Sequence, residues 1–200
     1  MSLGVRKVVY DCDGVLLALN EVAHAYAGID LNKRTHYRLR VDEEAEIITK
    51  EQAEKLLKAY NSVETFKKAK FYPGSDGIVK VEKNNAAVYI HSLSYNEEIT
   101  NYKRKLLQEK YPKLPSDRFI LESGNDKSVL DDIDVLVEDC LENVLASKAR
   151  LGNVLIRKPY NSLKNYGLKP EDVRAVIVED LIEANTAVML ILTGVIKLKQ

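Results

Sequence analysis

The sequence predicts an α/β fold, a parallel sheet with helices on both faces and a small helical insertion after the first strand. Three observations carry this. Short runs that are apolar almost throughout ("VVY", "AAVYIH", "RFIL", "DVLV", "NVLI") alternate with helical stretches. Strands of that kind belong to parallel sheets covered on both sides. Residues 18–70, between the first two runs, are helical and polar and do not continue a sheet. Polar residues gather just past the strands, where open α/β sheets bind their ligands.

The first strand is the organising element. Val8, Val9 and Tyr10 are β-branched or aromatic and read as a buried strand that runs into Asp11-Cys12-Asp13-Gly14. Residues two apart on an extended backbone point the same way, so Asp11 and Asp13 are placed to share one pocket. Gly14 permits the chain to leave sharply. Residues 16–30 read as helix and residues 31–42 as polar and irregular. Thr49 and Gln52 form a capping box that opens a helix through Tyr60, with Ala53, Leu56, Leu57 and Tyr60 on its inner face. A shorter helix covers residues 63–68.

From Pro73 onwards the alternation is regular. Residues 75–83 read as helix, 86–91 as strand, 96–110 as a long charged helix and 118–121 as strand. A turn over residues 124–127 follows, then strand 134–137, helix 141–150 and a last strand at 153–156. Pro170, with Glu171 and Asp172 behind it, is expected to open the C-terminal helix. The charged runs at residues 64–70 and 97–110 read as solvated helix faces.

Composition narrows the function. The 200 residues carry 30 basic and 30 acidic side chains without a basic stripe, which argues against a nucleic-acid polymer as partner. A small phosphorylated ligand needs only a local positive site. The most apolar tail, residues 187–196, is too short to span a bilayer, so no membrane association is expected. No signal peptide is read at the N-terminus, and two cysteines, Cys12 and Cys140, cannot build a disulfide framework. A cytoplasmic protein, monomer or homodimer, is the expectation. His24 and His36 lack metal-ligand spacing, so zinc is not expected.

The strand-end residues form a set with a chemistry. Asp11 and Asp13 follow the first strand, Ser92 and Ser94 the second, Lys127 the third, and Glu138 and Asp139 the fourth. Taken singly they have plainer readings: a turn, a strand-end hydroxyl, a surface lysine, helix caps. Taken together, acids from two strands suit Mg²⁺. One of the first two acids can attack phosphorus and the other can move protons. Lys127 and Ser92 can hold the charge of the transferring group.

The "DCDGVL" motif, in this order with the later residues, resembles the first motif of the haloacid dehalogenase (HAD)-like superfamily. "NDKSVL" (125–130), "DVLVEDCLENV" (134–144) and "KPYN" (158–161) are similar to the 5′(3′)-deoxyribonucleotidase group within it. The resemblance implies a three-layer Rossmann-like (HAD-like) core over residues 1–17 and 71–200, with residues 18–70 as a helical cap. It also implies a Mg²⁺-dependent phosphomonoester hydrolase, a 5′-nucleotidase acting on (deoxy)nucleoside monophosphates through an aspartyl-phosphate. Asp11 is then the nucleophile, Asp13 the acid/base, and Ser92 and Lys127 the phosphate-binding pair. Asp11, Asp13 (through its backbone carbonyl), Glu138 and Asp139 are then the metal ligands, and no organic cofactor is implied. Three departures stand out: Ser92-Leu93 in place of Thr-Ser, Glu138 in place of Asp, and the absence of Trp from an expected aromatic base pocket. Tyr26, Tyr37, Tyr60 and Phe66 are the candidates to replace it. These departures keep two alternatives in view, a phosphatase for another small ester and a non-catalytic relative that binds phosphates or a partner.

Overall fold

The computed structural model describes residues 5–84, 86–124 and 127–198. Strands β1 (Arg6–Asp11), β2 (Ala86–Ser94), β3 (Phe119–Ser123), β4 (Val135–Glu138), β5 (Gly152–Ile156) and β6 (Ala175–Val178) form one sheet in the order β3-β2-β1-β4-β5-β6. Every pairing is parallel. The central strand β1 has β2 on one side and β4 on the other, so the strand order reverses there. That is the position at which such sheets bind ligands. Val8 pairs with Val88 and Val135, and Tyr10 with Ile90 and Val137. Asp11 and Glu138 therefore leave adjacent strands at the same level.

The expected last strand at 153–156 is not the last. Pro170 starts only a 3₁₀ turn, Pro170–Asp172, closed by Lys169 N–H donating to Asp172 Oδ2 at 2.8 Å. The chain then extends beside β5, because Ala175-Val-Ile-Val is a β-branched run with an open edge to pair. The C-terminal helix begins later, at Leu181, capped by Asp180.

Helices α1 (Leu19–Ala27), α2 (Leu39–Glu44), α3 (Lys50–Tyr60) and α4 (Val63–Lys68) come between β1 and the rest of the sheet. They carry a small core of their own, with Ala23, Ala27, Ile48, Ala53, Leu56 and Ala59 buried together. The Thr49–Gln52 capping box is present in α3. Leu57, expected on its inner face, is 41% exposed, and Ala59 takes that place. The chain enters and leaves this region side by side: Ala18 N–H donates to Lys70 O at 2.8 Å and Tyr72 N–H to Leu16 O at 2.9 Å.

Helices α5 (Gly77–Lys83), α6 (Glu97–Lys110) and α8 (Leu181–Leu192) share the main core with Val8, Tyr10, Val88 and Ile90, while Val9 and Leu136 face the other side. Helix α7 (Leu141–Ala146) packs with Leu155 on that second side. Alternate residues of β1 are thus buried on opposite faces, as the all-apolar strands require.

Candidate active site

Backbone geometry after β1 presents the first two acids. Leu16 N–H and Leu17 N–H both donate to Cys12 O, at 2.9 and 2.8 Å, closing a single tight turn. Gly14 sits in it at φ +86°, and an added Cβ would lie 1.9 Å from Asp139 Oδ2. Both the dihedral and the space exclude other residues.

Around that turn the acids are held by two lysines. Lys127 Nζ donates to Asp11 Oδ1 at 2.6 Å and to Glu138 Oε1 at 2.7 Å. Glu138 Oε1 also accepts from Asn143 Nδ2 at 3.0 Å. Lys103 Nζ donates to Asp13 Oδ2, to Ser92 Oγ at 2.9 Å and to Leu93 O at 2.9 Å. Asp139 Oδ2 accepts from the Tyr160 hydroxyl and, at 3.2 Å, from Asn20 Nδ2. Asn161 Nδ2 donates to Asp139 O and Ile156 O, both at 2.8 Å.

The fold therefore brings Asp11, Asp13, Ser92, Lys127, Glu138 and Asp139 together. Neither Glu138 nor Asp139 caps α7 from Cys140, the residue at its N-cap. Asn125 and Asp126 of the "NDKSVL" motif lie outside the described residues. His91 is buried, with Nε2 3.0 Å from Glu122 Oε2, and Ser128 N–H donates to the same oxygen at 3.0 Å. His91 and Glu122 thus brace the segment that carries Lys127.

Four participants escaped the sequence reading. Lys103 was expected on a solvated face but is 1% exposed. The signal was there: Ile99, Lys103 and Leu107 recur every four residues, on one side of α6. Tyr160 and Asn161 belong to the "KPYN" stretch, a 3₁₀ turn, and both side chains hold Asp139. Asn20 lies on α1, and nothing in its local sequence singles it out.

Electrostatically the site is an acid cluster short of positive charge. Burial raises Glu138 to about 7, opposed by the nearby Lys127 ammonium. Asp139 is raised well above the usual carboxylate range, first by burial and then by the charges of Asp11 and Glu138. Burial also raises Asp13, against the pull of Lys103. For Lys127 burial works downward, but Asp11 and Glu138 outweigh it and the ammonium is held charged. Asp11, Glu138 and Asp139 can each offer one carboxylate oxygen within 4.8 Å of the other two. Hard oxygen donors of this kind suit Mg²⁺, and a cation among them would relieve the repulsion that burial magnifies.

Two openings meet at Asp13. A cleft of about 270 Å³ is lined by Asp11, Asp13, Tyr37, Lys127, Glu138 and Asn143, among others. Next to it, a pocket of about 120 Å³ lies among Asp13, Asn20, Tyr37, Tyr60, Ser94 and Tyr95, among others. Asp13 Oδ1 and Ser94 Oγ, both buried, have no hydrogen-bond partner among the described residues. Of the expected aromatic set, Tyr37 and Tyr60 line the pocket. Tyr26 is 56% exposed on α1, and Phe66 lies in the main core beneath Lys103. Tyr95 and Tyr160 take their places.

No protein-family model and no curated protein matches the sequence. Several solved structures match the fold. A hydrolase from Pseudomonas syringae aligns with TM-score 0.52 and 16% identity over 92% of this chain and 98% of its own. A haloacid dehalogenase-like family hydrolase from Xanthomonas campestris aligns with TM-score 0.52 and 18% identity over 96% and 97%. A protein provisionally assigned as a beta-phosphoglucomutase, from Bacteroides vulgatus, aligns with TM-score 0.58 and 14% identity over 100% and 92%. The chain has the fold of the haloacid dehalogenase-like hydrolases.

Proposed function

We propose that this chain is a Mg²⁺-dependent phosphomonoester hydrolase that works through an aspartyl-phosphate on Asp11. The observation that carries the proposal is the convergence of Asp11, Asp13, Ser92, Lys127, Glu138 and Asp139 at the switch point of the sheet. Asp11, Glu138, Asp139 and the Asp13 carbonyl would hold the cation, which offsets the repulsion between a phosphate and the attacking carboxylate.

In the first step an Asp11 carboxylate oxygen attacks phosphorus. The bond from phosphorus to the ester oxygen breaks, and Asp13 gives that oxygen a proton so that it leaves as an alcohol. In the second step Asp13, now a carboxylate, takes a proton from water as the water oxygen attacks phosphorus. The phosphorus–Asp11 bond breaks, inorganic phosphate leaves, and both acids return to their starting states. Lys127 and Ser92 stabilise the oxygens of the transferring group. The helices of residues 18–70 serve as a cap that shuts water out around the leaving group.

For the substrate, the tyrosine-lined pocket supports a nucleoside 5′-monophosphate, since aromatic rings stack on a base. The "NDKSVL" and "KPYN" likenesses point to the same nucleotidase reading. A compact sugar phosphate is the second reading. It is favoured by the small volume of the pocket and by the fold likeness to a protein assigned to sugar-phosphate chemistry. Phosphate release from a panel of nucleoside monophosphates and sugar phosphates, with and without Mg²⁺, decides. Mg²⁺-dependent release from nucleotides is expected. Release from sugar phosphates alone would establish the second reading, and no release from any ester would end the hydrolase proposal.

A further inference from the structure

Lys103 is a lysine with no donor to spare. It is 1% exposed, and its three N–H groups go to Asp13 Oδ2, Ser92 Oγ and Leu93 O. An ammonium has three donors and no more, so none is left for a phosphate oxygen. Its Nζ lies 5.1 Å from the centre of the Phe66 ring, which comes from α4. The lysine is thus clamped between α6, the end of β2 and the helical region. Lys127 differs in that both its identified acceptors, Asp11 and Glu138, belong to the proposed phosphate and cation site.

The consequence falls on Asp13. Its Oδ2 is occupied by Lys103, with Ser92 Oγ a further 3.5 Å away. Its side chain is 21% exposed, and Asp13 lines the pocket that would receive a leaving group. We propose that Lys103 is a positioning residue: by holding Asp13 Oδ2 it fixes the direction in which the Asp13 carboxyl faces the leaving group. This rests on the phosphatase reading above. The lysine touches neither phosphorus nor the ester oxygen, and acts through the orientation of Asp13.

Leaving-group chemistry separates this role from phosphate binding and from mere structural support. p-Nitrophenolate departs without a proton, whereas an aliphatic alkoxide needs one. Lys103→Met keeps the apolar stem over Phe66 and removes the charge. It is compared with the unmodified protein on p-nitrophenyl phosphate and on the aliphatic phosphate ester that the protein cleaves fastest. The variant is expected to lose about 10²-fold in the single-turnover rate of leaving-group release on the aliphatic ester, the scale of a general acid, and to lose at least about tenfold less on p-nitrophenyl phosphate. KM should change little on either. Equal losses on both esters, or a loss confined to KM, would overturn the proposal.

Removing Lys103 alone leaves the partly buried Asp13 without its ion-pair partner, which can destabilise the fold. The double variant Asp13→Asn/Lys103→Met removes both charges and avoids that. It should match Asp13→Asn alone on the aliphatic ester, since a positioning residue has nothing left to position. A further large drop would sink the idea. If the unmodified protein cleaved neither ester, the phosphatase reading would fail instead, so the two failures are distinct.

Discussion

Two buried polar clusters of this molecule are built from similar side chains and are finished differently. In the helical region Arg34 is 3% exposed and Asp42 fully buried. All three guanidinium nitrogens are used: Nε on Asp42, Nη1 on His24 Nε2 at 2.7 Å, and Nη2 on His36 O at 2.7 Å and Tyr37 O at 3.1 Å. Both Asp42 oxygens accept, from Arg34, Thr35 and His36 N–H. His24 completes the set, with Nδ1 2.6 Å from Asn20 O. At the sheet ends, among the described residues, the acids outnumber the ammonium groups, and Asp13 Oδ1 and Ser94 Oγ have no partner. A saturated network specifies structure, because every member would be costly to leave alone. An unsaturated one holds its unmet valences for something that arrives, and pays for that in stability.

The sharpest way to break this contrast is to delete one charge from each cluster and read both activity and stability. Asp11→Asn should lower phosphate release by about 10⁴-fold, about 5.5 kcal/mol of transition-state stabilisation. Its unfolding midpoint in urea should not fall, because one of several crowded acids is gone. Arg34→Met, at a residue that also lines the tyrosine pocket, should act first on stability. It leaves the buried Asp42 carboxylate uncompensated, at a cost of about 3–5 kcal/mol in urea unfolding, while the sheet-end acids keep their arrangement. If Asp11→Asn proved the more destabilising of the two, the division into a structural and a reactive cluster would be wrong.

Acid should distinguish the clusters too. Burial lowers the His24 pKa from 6.5 to about 4, against the hydrogen bond to Asn20 that favours the charged ring. Between those values the unfolded chain takes up a proton that the folded protein refuses. His24 therefore contributes fully above pH 6.5, its contribution shrinks as pH falls towards 4, and below that it levels off. The loss amounts to about 3 kcal/mol across the window. The difference in unfolding free energy between the unmodified protein and His24→Asn, followed from pH 7 to 4, measures it. A difference independent of pH would contradict the neutral, Arg34-bonded imidazole.

The smallest effect belongs to Ser94. Ser94→Ala removes a hydroxyl that is unpaired among the described residues, so stability should hold or rise by up to about 1 kcal/mol. KM for the preferred ester should rise about fivefold if that hydroxyl is kept for the leaving group, as steady-state kinetics would show. An unchanged KM would make Ser94 Oγ an ordinary imperfection and blur the comparison.

Much of the frame was legible along the chain. The apolar runs marked five of the six strands, and the Thr49–Gln52 box marked its helix start, since these signals lie within a few residues. β6 was hidden by a stronger local sign: Pro170 with two acids behind it reads as a helix start. What outweighed it was the free edge of β5, which no local pattern shows. The charged face assigned to α6 failed for a related reason. Charge patterning counts lysines without knowing which ones meet a carboxylate from another strand. Lys103 meets Asp13, ninety positions earlier in the sequence.

Residue identity and spacing were enough to select the acids, the serine and Lys127, because strand ends in a parallel sheet converge wherever the chain places them. They were also enough to say that the molecule is a covered sheet with a helical excursion after its first strand. That Lys103 holds Asp13, and that Asn20 and Tyr160 support Asp139, depend on side chains brought together from distant segments. Hydrogen-bond saturation is a property of three-dimensional neighbours. A linear pattern can nominate donors and acceptors, but only packing pairs them.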